Sequence, residues 1–212
     1  MQIIRAHTNH PQCKQLIVDR VSLTVELLGK IISDHHEKCH TVNRNFFNTT
    51  LMMHSGIPGV TPNFGAGYIS LKRTSGVVSA VALNNAALNL DGPVNTPTTG
   101  IVVGSGTGAE DFEGYALTTQ ILHGTTGTQL LHAAHAAPIQ SYNAGALKWT
   151  ITLKRSFTNS SGASIDVKET GIYGVIQSFS IMLWRDLLAA TQAVPNNTVM
   201  TVAYDITLTL PA

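Results

Sequence analysis

The C-terminal segment from Val199 to Ala212 is the sequence feature that most restricts the fold of this chain. Apolar residues alternate there with small or polar ones, at Met200, Val202, Tyr204, Ile206, Leu208 and Leu210. Because successive side chains of a strand point to opposite faces, the pattern predicts a long strand with one buried and one solvated face. We therefore expect an antiparallel sheet of the kind found in sandwiches, jelly rolls and barrels.

The charge content is low for a chain of this size. Of 212 residues, 43% are hydrophobic and 12% are charged, whereas soluble domains carry about 25% charged residues. Between Arg73 and Glu110 the only charged residue is Asp91. Such a composition predicts a surface that is largely covered by partner chains. The net charge of +1, without clusters of Lys and Arg, argues against direct binding of nucleic acid.

Targeting signals are not apparent in the sequence. No apolar stretch reaches the roughly 18 residues that a membrane helix needs. The N-terminus contains Arg5 and His7 and has no apolar core of a signal peptide. We therefore expect a protein that is made in the cytoplasm and has no membrane partner, with Cys13 and Cys39 as reduced thiols.

The first half of the chain predicts an extended N-terminal arm over residues 1–20, although Leu16, Ile17 and Val18 could start a strand, and then a hairpin and a helix. Val21 to Leu27 alternates like a half-buried strand, and Ile31 to His40 reads as its polar return strand. The period then becomes helical, which predicts a short helix near residues 43–55 with Thr41 as its cap.

Residues 21–212 as a whole predict a single β-sandwich domain, jelly-roll-like, with the helix embedded in it. Further strands are predicted over residues 68–72, 77–83, 101–103, 130–139, 147–157, 165–167 and 178–184. A long loop is predicted over 84–100, a hairpin-like loop over 158–162, a bend from Gly171 to Gly174, and a turn over 194–197. Trp149, Ile151, Leu153, Tyr204, Ile206 and Leu208 are predicted to face the core, and Thr207 the solvent.

The glycine-rich run Gly104-Ser105-Gly106-Thr107-Gly108-Ala109 fits the outline of a dinucleotide-binding turn. That function requires a helix at the turn, with its amides facing a pyrophosphate. Glu110, Asp111 and Glu113 follow instead, and they would repel phosphate. We therefore interpret the run as a flexible turn and the three acids as solvated loop charges.

Two groups of histidines, at residues 35–40 and 132–135, are candidate metal sites. On a strand, His36 and His40 would share one face, and His35 and Cys39 the other, so that each face offers two ligands where a structural zinc needs four. Partners from neighbouring subunits could complete such a site. His132 and His135 are an odd number of residues apart and are predicted to face opposite sides of a strand as separate hydrogen-bonding residues.

Catalytic, metal-binding and cofactor-binding residues are not predicted for this chain. The sequence has no G-x-S-x-G elbow, and its clustered carboxylates lie in a predicted loop rather than on rigid elements. We expect a protein that is not an enzyme and that carries no stoichiometric zinc.

The second half of the chain contains an ordered series of motifs, at Ile101–Thr107, Asp111, Tyr115–Leu117, Gln120-Ile121, His123-Gly124, Gln129-Leu130, Ser156–Ile165, Val167, Glu169, Gly171–Tyr173, Arg185-Asp186 and Val194-Pro195. The series covers roughly residues 100–210, with a weaker echo over 21–56 that includes Asn45-Phe46-Phe47. It resembles a family of uncharacterised proteins encoded by tailed bacterial and archaeal viruses.

The resemblance implies a structural protein of the virus particle, made in the host cytoplasm and located in the virion. We expect a capsid-associated decoration or cement protein that forms a homo-oligomer, with a trimer favoured, and that contacts the major capsid protein. A tail, collar or baseplate component is the alternative within this class. A receptor-binding or carbohydrate-binding module is a third possibility, which aromatic residues exposed on loops would favour; the candidates are Phe64, Phe112 and Tyr142.

Overall fold

The computed structural model of the chain describes residues 15–28, 30–37, 41–55, 68–82 and 87–209. Within these residues the chain forms thirteen strands and one α-helix, α1, at Arg44–Ser55. The strands of the first half are β1 Gln15–Leu27, β2 Lys30–Glu37, β3 Thr41–Val42, β4 Tyr68–Lys72, β5 Val78–Ala82, β6 Leu88–Asn89 and β7 Gly100–Gly104. Those of the second half are β8 Leu131–His135, β9 Ile139–Asn143, β10 Lys148–Thr158, β11 Ile165–Ile176, β12 Phe179–Val194 and β13 Val199–Thr209.

The strands form two large antiparallel sheets and a separate hairpin. The first sheet has the order β2-β1-β13-β10-β8, and β9 pairs with β10 next to β8. The second sheet has the order β3-β12-β11-β6, and β7 pairs with β11 next to β6. Strands β4 and β5 form the hairpin. The predicted mainly-β, antiparallel fold with one helix is therefore confirmed, whereas the jelly-roll detail stays a prediction.

One hydrophobic core lies between the two large sheets. The terminal strand β13 has the predicted alternation, and its Met200, Val202 and Tyr204 are fully buried against side chains of the second sheet such as Leu183. The hydroxyl of Tyr204 donates to Oδ2 of buried Asp186 at 2.9 Å and lies 2.5 Å from Oγ1 of Thr170. A polar contact thus crosses the core and fixes the two sheets relative to each other.

The predicted core positions are buried to different extents. Leu153 and Tyr204 are buried, and Ile151 and Ile206 pack against the core while partly exposed. Trp149 and Leu208 are also only partly buried. The prediction that Thr207 faces solvent is wrong, because its exposed fraction is 4%. Strands β1 and β10 flank this short side chain on both sides, so its neighbours in the sheet shield it.

Two connections at one end of the molecule join the sheets to each other. The segment 159–164 leads from β10 in the first sheet to β11 in the second, and 195–198 leads back from β12 to β13. Asn159 joins the two connections: its Nδ2 donates to the carbonyl of Val194 (2.6 Å), and its backbone N–H donates to that of Thr198 (2.9 Å). The loop predicted as hairpin-like therefore crosses between sheets, which local sequence does not encode.

Strand β1 begins at Gln15, so the last six residues of the predicted arm belong to the first sheet. The pairing of β1 with β13 shifts by one residue between Val18 and Arg20. This bulge breaks the alternation in the sequence, which explains why the strand was predicted to begin only at Val21. Residues 1–14 of the predicted arm lie outside the described residues.

Other boundaries also differ from the prediction. The strand predicted over 130–139 is two strands, β8 and β9, separated by a segment that contains Pro138. The loop predicted over 84–100 contains the short strand β6. The bend predicted at Gly171 to Gly174 is not a break, because β11 continues through it with a register shift at Ile172. Strand β12 extends ten residues beyond Trp184.

The predicted helix is confirmed as α1, but its cap differs. Thr41 belongs to β3, and Oδ1 of Asn43 instead accepts a hydrogen bond from the backbone N–H of Phe46 (3.3 Å). Asn45 exchanges two hydrogen bonds with the backbone of Lys72, at 2.7 and 2.9 Å. These amide side chains attach α1 to β4 and bring it beside the site described next.

Candidate functional site

Glu169 on β11 is a fully buried carboxylate. Its Oε1 accepts hydrogen bonds from the backbone N–H groups of Gly106 (3.1 Å) and Thr119 (2.8 Å), and its Oε2 accepts one from that of Thr118 (3.1 Å). Oε2 also pairs with Nε of Arg185 at 2.7 Å. Four donors thus replace the water that the carboxylate loses on burial.

The glycine-rich turn after β7 is a cradle for this carboxylate. A Cβ atom on Gly104 or Gly106 would lie 2.6 or 2.5 Å from Oε1 of Glu169, so larger residues do not fit there. No helix occurs within the described residues 105–130. In a dinucleotide-binding turn the backbone amide of Gly106 would donate to phosphate. Here it donates to the carboxylate of Glu169 instead. Residues 105–110 form an irregular segment, and the hydrogen bond from Gly106 helps to hold it against Glu169.

Arg185 on β12 completes this arrangement, and its side chain is buried. Besides Glu169, it binds the carbonyl oxygens of Ala109 (2.9 Å) and Gly108 (2.7 Å), and Oγ1 of Thr118 (2.9 Å). We call Glu169, Arg185 and the residues 104–109 and 117–119 the Arg185 cluster. Thr170 faces the core, so by alternation Glu169 points to the outer face of the second sheet, which residues 105–119 cover.

A cleft of about 410 Å³ opens beside the Arg185 cluster. Its lining includes Lys72, Asp111, Glu113, Tyr115, Thr118 and Arg185. Oδ1 of Asp111 accepts a hydrogen bond from the backbone of Glu113 (3.0 Å), and Glu113 forms an ion pair with Arg44 of α1. Oε1 of Glu110 accepts one from the backbone of Leu187 (2.7 Å). The three acids predicted as solvated loop charges thus also anchor their segment.

Of three partly exposed aromatic side chains in this region, Tyr115 lines the cleft, Phe112 lies in the chain between the lining residues Asp111 and Glu113, and Phe47 packs near Phe112. Phe47 of α1 is 54% exposed, Phe112 is 45% exposed, and their ring centroids lie 5.7 Å apart. The guanidinium of Arg44 lies 5.8 Å from the Phe112 ring, and Nζ of Lys72 lies 4.4 Å from that of Tyr115. Such cation–π contacts combine apolar surface with positive charge. The arrangement can bind a ligand that has both an apolar face and polar groups.

Arg155 on β10 is a second buried arginine, 1% exposed. It faces the core side of the first sheet, at the edge where the loop before β7 passes. Each of its five N–H groups has a backbone partner, and the five acceptors are the carbonyl oxygens of Pro93, Thr96, Thr99, Ile101 and Ala133, at 2.7 to 2.9 Å. Arg155 thus ties the first sheet to the loop 91–99 and to β7 of the second sheet.

His132 and His135 lie on the same side of β8, next to Arg155. His135 is opposite Arg155 and His132 is opposite Phe157, because the pairing of β8 with β10 shifts by one residue between them. The prediction that they face opposite sides is therefore wrong, since a bulge changes the alternation. We call Arg155, His132, His135 and the residues 91–101 the Arg155 cluster.

Both histidines of the Arg155 cluster are held in the neutral form. Burial, and then the charge of Arg155, lower the pKa of His132 to about 4 and that of His135 to about 4. Nε2 of His135 accepts a hydrogen bond from the backbone N–H of Ile101 at 2.8 Å, which requires that nitrogen to be unprotonated. Burial also lowers the pKa of Arg155 to about 10.

The predicted His–Cys cluster is only partly described. His35 and His36 lie on β2, whereas Cys39 and His40 lie outside the described residues, as does Cys13. His36 contacts Oγ of Ser22 (2.8 Å) and Oδ2 of Asp34 (3.0 Å) through its two ring nitrogens. Among the described residues, no group of three or more His, Cys, Asp or Glu side chains could hold a metal ion.

The sequence patterns assigned no role to the two buried arginines. For Arg155 a signal existed, because it continues the apolar face of β10 between Leu153 and Phe157. A charged residue on an apolar face predicts a buried, fully hydrogen-bonded group. For Glu169 the same kind of signal existed, because it continues the alternation of Ile165 and Val167, but a register shift after Val167 turns it to the outer face instead of the core.

The fold and the site define an antiparallel β-sandwich with two buried arginine clusters and a small cleft. No family model matches the sequence, and neither a curated protein nor a solved structure matches the chain. Among the described residues, no helix is long and apolar enough to cross a membrane.

Proposed function

We propose that this protein is a non-enzymatic structural component of a tailed-virus particle, made in the host cytoplasm and incorporated into the virion. Within the particle we assign it to the capsid, as a decoration or cement protein that stabilises the shell. Its partners are copies of itself, with a trimer as the expected order, and the major capsid protein. Direct contact with nucleic acid or membrane is not part of the proposal.

The observation that supports this proposal is how the chain uses its buried charges. Glu169, Arg185 and Arg155 all bind backbone groups of the chain's own loops. Loops that are held in this way present a fixed shape to neighbouring subunits, as a shell component requires. The low charge content agrees with a surface that is covered in an assembly.

Labelling of particles tests the proposal directly. An antibody raised against the recombinant protein would be applied to purified particles from the source of the gene, and bound gold would be located by electron microscopy. Gold over the heads, with peptides of this chain in the digested particles, supports the capsid assignment. Gold confined to the tail would move the protein to the tail, collar or baseplate. Particles that carry neither the label nor its peptides would overturn the proposal.

A carbohydrate-binding module is a second candidate function, favoured by the cleft beside the Arg185 cluster. Of the aromatic candidates from the sequence, Phe112 lies in the chain between the cleft-lining residues Asp111 and Glu113, Tyr142 lies on strand β9, and Phe64 is outside the described residues. Aromatic rings next to the carboxylate of Asp111 suit the apolar face and hydroxyl groups of a sugar.

A glycan array followed by titration calorimetry tests the second candidate. If the cleft binds sugar, Phe112→Ala weakens the binding of a glycan found on the array, while Tyr142→Ala leaves that binding unchanged. Equal effects of the two substitutions, or an array without any bound glycan, would eliminate this candidate.

A further inference from the structure

The two edges of the first sheet differ in charge. Strand β2 carries Lys30, Asp34 and Glu37 along one edge. Strand β9 lies at the other edge, and its sequence Ile-Gln-Ser-Tyr-Asn has no charged residue. Charged side chains on an edge strand prevent pairing with another chain, whereas an uncharged exposed edge is free to pair.

Strand β9 is also exposed along its whole length. All five of its residues lie at the surface, and Ile139 and Tyr142 are each more than half exposed. It pairs with residues 148–152 of β10 on one side, and no other described strand pairs with it. Its backbone groups on the outer side therefore form a row of donors and acceptors for an additional strand.

The uncharged surface extends well beyond β9. Between Glu113 and Lys148 the chain has no Asp, Glu, Lys or Arg, and from residue 133 to 146 every residue except the half-buried His135 is exposed. An exposed surface of this kind offers nothing to a partner that is selected by charge. A second copy presents the same uncharged strand, so the two meet without like charges and without desolvating an ionic group.

We propose that two copies of this chain associate by antiparallel pairing of β9 with β9 about a two-fold axis at Ser141, which joins their first sheets into one continuous sheet. In this register Gln140 of each copy lies opposite Tyr142 of the other, so this pair occurs twice. Ile139 of each copy likewise lies opposite Asn143 of the other. A two-fold contact uses the same patch on both chains, as most closed homo-oligomers do. The β9 contact rests on the proposed function, because both require that identical copies of the chain associate. The contact joins two single chains into a dimer, or two trimers into a hexamer.

Charge placed on β9 tests the contact. The double variant Gln140→Lys/Tyr142→Lys puts like charges opposite each other at two places, and we expect it to weaken the pairing by about tenfold or more. Analytical ultracentrifugation of the full chain should show half the mass of the unsubstituted assembly, while circular dichroism keeps the β spectrum. The control Thr125→Lys/Thr128→Lys adds the same charge at exposed positions away from β9 and should keep the full mass.

Mixing of complementary variants separates a lost contact from a damaged fold. The variant Gln140→Glu/Tyr142→Glu should also have half the mass, and an equimolar mixture with the Lys variant should regain the full mass. An unchanged mass of the Lys variant, a mixture that stays at half mass, or an unsubstituted chain that is a monomer or a trimer would overturn the β9 contact. These results do not depend on the labelling of particles. A failure of the β9 contact can therefore be distinguished from a failure of the proposed capsid function.

Discussion

Arg155 and Arg185 are both buried arginines that hold an irregular segment against a sheet, and they differ in their partners. Arg185 shares its site with the buried carboxylate of Glu169, so the two charges compensate each other. Arg155 is held by five carbonyl oxygens and lies beside two neutral histidines. The nearest acid that acts on it is Asp91, which is exposed.

The difference predicts how each cluster fails. An ion pair is sensitive to the loss of either charge, because the remaining charge is buried without compensation. An arginine bound by carbonyl groups is sensitive to added positive charge, because its partners are dipoles that cannot offset a second cation. The four predictions below test this contrast, starting with the largest expected effect.

Removal of the buried carboxylate charge should have the largest effect. Glu169→Gln leaves the Arg185 guanidinium buried without its counter-charge and turns an NH₂ group toward backbone donors, and we expect a loss of about 3–5 kcal/mol in the free energy of unfolding. Urea unfolding measures it. Asp166→Asn, which changes an exposed acid on the same strand, should stay within about 0.5 kcal/mol. Similar losses for the two variants would contradict a compensating role of Glu169.

Replacement of Arg155 should cost less, because it leaves no buried charge behind. Arg155→Met removes five hydrogen bonds to backbone carbonyl groups, and we expect a loss of about 2–4 kcal/mol. Hydrogen exchange should accelerate at Asn95, whose N–H donates to the carbonyl of His132, more than at Thr118 in the Arg185 cluster. Lys154→Met, at the exposed neighbouring position, is the control. Equal acceleration at both amides would show that the two clusters are not independent.

Acid should destabilise the Arg155 cluster specifically. The pKa values of His132 and His135 are lowered from 6.5 to about 4, so the unfolded chain binds protons between these pH values while the folded chain does not. The folded state therefore has its full stability above pH 6.5 and loses it as the pH falls toward 4, by about 2 kcal/mol for each histidine between pH 7 and pH 5.

His135→Gln tests this pH dependence. The amide oxygen of Gln can still accept the hydrogen bond from Ile101 and does not titrate, so the loss of stability between pH 7 and pH 5 should decrease by about half. Unfolding in urea at several pH values gives the comparison. A variant with the same pH profile as the unsubstituted protein would exclude His135 as a source of the effect.

A methyl group in the cradle of Glu169 should have the smallest effect of the four. Gly106→Ala places a Cβ atom 2.5 Å from Oε1 of Glu169 and from Cβ of Thr118, and overpacking of this kind costs about 1–3 kcal/mol. Thermal unfolding gives the change. Gly145→Ala is the matched control, since its Cβ would be 3.5 Å from the nearest atom, Oδ1 of Asn143. An unaffected Gly106→Ala variant would mean that the turn can move away from Glu169.

The sequence alone determined the features that depend on local periodicity. The alternation in β13, β10 and β4 and the helical spacing in α1 predicted these elements, because side-chain direction follows directly from backbone geometry. The mainly-β antiparallel class followed from the same patterns. Where a bulge interrupts the alternation, as at Asp19 in β1 and between His132 and His135 in β8, the prediction was wrong about the start of the strand or the face of a side chain.

Only the tertiary structure decided which strands share a sheet and what the buried charges do. Glu169 meets the amides of residues 106, 118 and 119, and Arg155 meets carbonyl groups of residues 93 to 101 and of Ala133; both sets are remote in sequence. A charged group can be buried here because backbone groups that are distant in sequence replace its water. Local sequence does not show which distant groups will lie close enough to do so. The low charge of residues 114–147 could be read from the sequence, but only the fold placed most of residues 133–146 on the surface, at the edge of a sheet.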